Sequence, residues 1–127
     1  MGLSKIVILE KNRGRRDYLR AIVSSWGHLP FIFEKAAICL DNLRPLGPDL
    51  IIAGPLSHDR MDRFVSTAKM MDGNLPVLIL SSDPALNGFA AYNGFKDVRV
   101  LKKNFGPADI QVTISKLLRN RFCHTDV

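Results

Sequence analysis

A chain of 127 residues can bury one real core, and its 46% hydrophobic and 24% charged content is that of an ordinary globular domain. No apolar run reaches the length of a membrane span, and the opening Met1-Gly2-Leu3-Ser4-Lys5 passes too soon into a strand to read as a signal peptide. The net charge of +6 admits an anionic partner without requiring one, and two cysteines, Cys39 and Cys123, without metal-ligand spacing point to a reduced, cytoplasmic compartment.

Lys5 to Leu9 is a β-rich run and reads as the first strand. Arg15 to Trp26 carries Leu19, Ile22, Val23 and Trp26 at helical spacing, with Asn12 as its cap and Gly27 as its stop. Leu29 to Phe33 is a second strand. Ala36, Ala37, Leu40 and Leu43 mark a short second helix, which Pro45 and Gly47 stop. Leu50 to Ala53 is a third strand, and Ser57 caps a third helix that buries Met61, Phe64, Val65, Ala68 and Met71.

Pro76 to Leu80 is a fourth strand. Asp83-Pro84 opens a fourth helix that Gly94 ends, with Gly88 weakening it by about 1 kcal/mol relative to alanine. Val98 to Leu101 is the fifth strand. Pro107 opens a fifth helix with Ile110, Ile114, Leu117 and Leu118 on one face.

Strands and helices alternate five times, and the central strands are apolar throughout rather than on alternate residues. Both features call for a parallel sheet covered on its two faces. Right-handed crossovers make a doubly wound, five-stranded α/β sheet the simplest topology, with ligand chemistry beyond the carboxyl ends of the strands. Those ends are Glu10-Lys11, Ala53-Gly54, Ser81-Ser82 and Lys102-Lys103.

At these ends the chain resembles the response-regulator receiver domain, over roughly residues 5–122. Lys5-Ile-Val-Ile-Leu-Glu10 is similar to the strand that ends in a pair of acids. Pro48-Asp49-Leu-Ile-Ile-Ala-Gly54 is similar to the strand that ends in the phospho-accepting aspartate. Pro76-Val-Leu-Ile-Leu-Ser81-Ser82 is similar to the strand that ends in a hydroxyl residue, and Leu101-Lys102-Lys103-Asn104-Phe105 to the Lys-Pro-Phe turn. The resemblance implies a flavodoxin-like fold and one receiver-like domain over 1–127, with 123–127 as a tail. It also implies a role in bacterial two-component or phosphorelay signal transduction.

Carried over by position, the phosphorylation site is degenerate. Lys103 fits the lysine, Ser81 the hydroxyl and Glu10 one acid, but Lys11 replaces the second acid and Gly54 the acceptor. An ammonium near a dication is repelled by several kcal/mol at an effective dielectric of ~20. The expectation is therefore no cofactor, no specific Mg²⁺ and no aspartyl phosphate at position 54. The switch position holds Val100 where the family has an aromatic ring, and a β-branched side chain is stiff at χ1. Lys103, deprived of the acceptor, is expected to pair with Glu10.

The function expected is a pseudo-receiver: a non-enzymatic protein-interaction module that needs no phosphorylation. Its signalling partner would dock on the face of the fourth helix, fifth strand and fifth helix, and a homodimer stays open. The alternative is a binding module for an anionic ligand or nucleic acid through the basic edge of Lys11, Arg13, Lys102 and Lys103. Nucleic acid is disfavoured, because no helix-turn-helix, zinc or aromatic-interleaved pattern accompanies the charge. No Ser-His-Asp or Cys-His arrangement offers a nucleophile.

Overall fold

Side chains on a strand point alternately to its two faces, and that alternation divides the core. A computed structural model describes residues 3–81, 95, 97–102 and 106–122. Its elements are β1 (Lys5–Leu9), α1 (Arg13–Ser25), β2 (Leu29–Phe33), α2 (Ala36–Leu46), β3 (Leu50–Ala53), α3 (His58–Met71), β4 (Val77–Leu80), β5 (Val98–Leu101) and α4 (Pro107–Phe122). The strands pair in parallel in the order β2-β1-β3-β4-β5.

Val7, Leu9, Ile51, Ala53, Val77 and Ile79 face one way and pack with Cys39 and Leu43 of α2 and Met61, Phe64 and Val65 of α3. Ile6, Ile8, Leu50, Ile52, Leu78 and Leu80 face the other way, onto Leu19, Ile22 and Val23 of α1 and Ile110, Ile114 and Leu117 of α4. The central strands β1, β3 and β4 are buried on both faces, which is why their sequences show no polar alternation. The expected doubly wound sheet is the one observed.

Local signals set most element ends. The Asn12 side chain accepts from the Arg15 backbone N–H at 2.9 Å, so α1 starts at Arg13, two residues before the start read from its apolar spacing. Gly27 and Gly47 close α1 and α2 with φ of 86° and 58°, left-handed values that a side chain disfavours. Ser57 caps α3 through the Arg60 N–H.

Two details differ from the sequence reading. Strand β4 begins at Val77, because Pro76 has no N–H to give the ladder; it contributes only its carbonyl, to Ile51 N–H at 3.0 Å. Pro45 lies inside the last turn of α2, and Gly47 makes the stop. On α2, Cys39 and Leu43 form the buried stripe and Ala37 is exposed. Burial pushes the Cys39 thiol up to about 12. The expected fourth helix, Asp83 to Gly94, lies outside the described residues.

Candidate functional site

The register fixes what meets at the carboxyl end of the sheet. Leu9 of β1 pairs with Ala53 of β3, so the next residues, Glu10 and Gly54, are neighbours on adjacent strands. Both continue the even-numbered face that points to α1 and α4. The Gly54 N–H donates to the Leu9 carbonyl at 2.7 Å and the Glu10 N–H to the Phe33 carbonyl at 3.0 Å. The ladder thus runs on past the last strand residues and holds both backbones in place.

Glu10 is 2% exposed. Its Oε1 accepts from Arg15 Nε at 3.1 Å, and its Oε2 accepts from Arg15 Nη2 at 3.3 Å and from the Asn12 backbone N–H at 3.0 Å. A buried carboxylate held by a guanidinium fork and a backbone amide has its charge matched and both oxygens bonded. Arg15 reaches it because the Asn12 cap turns the chain into α1, placing residue 15 above the end of β1.

The carboxylate lies in the space a side chain at residue 54 would need. A Cβ there would stand 2.7 Å from Glu10 Cδ and 3.1 Å from Oε2, and would collide with Oε1. Gly54 does not have a positive φ. Glycine serves here for room, not for backbone freedom. Glu10 and a side chain at 54 compete for one volume.

Other residues singled out in the sequence are placed as follows. Lys11 is exposed beside Glu10. Ser81 is buried at the end of β4, with its N–H donating to the Leu101 carbonyl at 3.1 Å. Val100 is partly buried against the α2–α3 side of the core. Arg13 starts α1 and Lys102 follows β5, both exposed. Lys103, the expected partner of Glu10, lies outside the described residues; the partner seen is Arg15. Asp49 lies at the opposite end of the sheet. There it accepts from the Lys5 N–H at 2.9 Å and pairs with Arg121 at 3.6 Å.

The divalent cation that the resemblance implies does not fit these residues. Glu10 is engaged by Arg15, Lys11 brings a positive charge, and Gly54 has no side-chain oxygen. Among the described residues no three His, Cys, Asp or Glu side chains gather as a metal site.

A second feature adjoins this end. A cleft of about 540 Å³ opens between the ends of β1 and β3 and the starts of α2 and α3, with Lys11, Lys35 and Arg60 in its lining. In the sequence Arg15 stands out only as the start of the first helix, and Lys35 and Arg60 do not stand out. Arg15 had a signal: a buried acid at a strand end needs a cation, and the first turn of the following helix is within reach. Lys35 and Arg60 are 25 residues apart, and only the adjacency of two helix starts joins them.

No protein-family model matches the chain, and no curated protein matches it either. Solved structures do. A response regulator receiver protein from Sinorhizobium medicae is 21% identical, with 94% of this chain and 97% of that one covered, at a TM-score of 0.79. A response regulator receiver domain protein from Methanospirillum hungatei is 16% identical over 94% and 97%, at 0.83. A response regulator receiver modulated diguanylate cyclase from Pelobacter carbinolicus is 24% identical over 98% and 100%, at 0.77. The class is therefore a doubly wound parallel α/β domain. Within that class the fold is that of response-regulator receiver domains.

Proposed function

We propose that this chain is a degenerate receiver domain of two-component or phosphorelay signalling, a protein-interaction module whose contacts do not depend on phosphorylation. One observation carries the reading. The volume that an acceptor side chain at residue 54 would occupy is taken by the Glu10 carboxylate, held by Arg15 and Asn12. That carboxylate is neither a free nucleophile nor a free metal ligand. Lys11 beside it opposes a second positive charge. On this reading the chain takes no specific Mg²⁺, forms no aspartyl phosphate at 54 and has no enzymatic activity of its own.

The partner face follows from the resemblance: β5 and α4, together with the expected fourth helix that precedes β5 in sequence. Val112 on α4 is exposed there, and Arg99 of β5 is exposed beside it. Val100 at the switch position has no ring to reorient, which favours a face presented in one state.

The test is intact-mass measurement after incubation with Mg²⁺ and acetyl phosphate, alongside a phosphorylatable receiver as the positive control. The expected mass is that of the unmodified chain. A phosphoryl adduct that survives mild acid and is released by hydroxylamine would reject the reading, since it would place an acyl phosphate on a carboxylate.

A further inference from the structure

We propose that the cleft between β1, α2 and α3 is a binding site for a small phosphate-bearing molecule. Three cations from three separate elements line it: Lys11 after β1, Lys35 at the start of α2 and Arg60 in the first turn of α3. None of the three forms an ion pair among the described residues. Glu34 is the single carboxylate of the lining, and it is already engaged by Arg16 at 3.3 Å. Arg16 also donates to the Lys11 carbonyl at 3.1 Å, so the same side chain neutralises the acid and anchors the loop that carries Lys11. The lining is left with three uncompensated positive charges.

Backbone donors add to them. Lys35 stands at the N-cap of α2 and gives no side-chain cap, and the first turn of that 11-residue helix has no acid. The first N–H groups of a helix have no partner within it. Ala36 and Ala37, which carry two of them, lie in the cleft wall. Cations and helix-start N–H groups together suit a phosphate dianion, since its several oxygens take several donors. Size argues for a small molecule: about 540 Å³ lies within the range of ligand pockets, roughly 300–1,000 Å³. Leu9 and Leu56 give the cleft an apolar floor for an organic group attached to the phosphate.

This site takes a pre-existing phosphate by ionic contact and transfers nothing. It is independent of the reading that residue 54 accepts no phosphoryl group, because the mass measurement tests that and the following experiment does not.

The experiment is a two-dimensional ¹H–¹⁵N NMR titration of the full chain with inorganic phosphate, adenosine monophosphate and adenosine, at low and at physiological ionic strength. The expected result is saturable shifts of the Lys11, Ala36, Ala37 and Gly54 amides with the two phosphates, weakened by salt. The K35A/R60A variant should bind about tenfold more weakly or worse, while R20A, an exposed cation elsewhere on α1, binds as the parent does. The unliganded spectrum of each variant reports whether it folds. Tighter binding of the monophosphate than of inorganic phosphate assigns the site to an organic phosphate, and equal binding assigns it to the free anion. Shifts that never saturate, equal binding by K35A/R60A, or adenosine binding as tightly as its monophosphate would overturn the proposal.

Discussion

At residue 54 the absence of a side chain is enforced by a neighbour. The Glu10 carboxylate fills the space, and a Cβ would press on it within 2.7 Å of Cδ. Glu10 cannot swing away at low cost, because the move breaks contacts to Arg15 and to the Asn12 N–H. Gly54→Ala should therefore destabilise the fold by about 1–3 kcal/mol, the usual range for overpacking. In a Glu10→Ala background the same change should cost far less, because the colliding atoms are gone. Urea denaturation of the four proteins of this double-mutant cycle measures the difference. Equal cost in both backgrounds would show that Glu10 does not occupy that space. The sequence revealed that position 54 lacks an acid. It did not reveal that residue 10 stands in the vacated room, since that depends on the Leu9–Ala53 register.

At the level of elements, boundaries were the most legible feature, because caps and stops are local chemistry. Asn12, Ser57 and the two left-handed glycines mark helix ends in the structure as they do in the sequence. Gly47 offers a clean measure of that chemistry. A Cβ built there meets nothing within 4 Å, so only the φ of 58° opposes a side chain. Gly47→Ala should cost about 1 kcal/mol with no change in the packing of α2. Thermal denaturation, with circular dichroism confirming unchanged helix content, checks it. A neutral effect would mean that the turn relaxes to a right-handed conformation. The existence of α2 was legible but its buried stripe was not: α2 is a short helix over an edge of the sheet, and the stripe holds Cys39 and Leu43 but not residue 37.

On the scale of the whole molecule, the two ends of the sheet carry opposite arrangements. The carboxyl end holds Glu10, Arg15 and the cationic cleft. The amino end is tied by Arg121 of α4, which pairs with Asp72 at 3.1 Å and Asp49 at 3.6 Å and donates to the Pro48 carbonyl at 3.4 Å. His28 borders this end, its Nδ1 buried with no hydrogen-bond partner among the described residues. Burial lowers its pKa below the ordinary value near 6.5, against a smaller opposing pull from Asp49. The folded state thus binds a proton at His28 less readily than the unfolded state does. The His28 contribution to stability is fully present above about pH 6.5 and is lost as the pH falls through that value toward the folded pKa. Urea midpoints should drop between about pH 7.5 and pH 5.5, and His28→Gln should flatten that slope. A wild-type slope matched by the variant would assign the loss to other groups.

Taken alone, the sequence determined the alternation of strands and helices, the ends of most of them and the chemistry missing at position 54, because each follows from periodicity, capping and residue type along the chain. Tertiary structure decided which groups stand in for what is missing. Arg15 on Glu10, Glu10 over Gly54, and Lys35 beside Arg60 are products of strand register and of helices starting side by side. No local pattern encodes a contact between residues that only the folded sheet brings within a few ångströms.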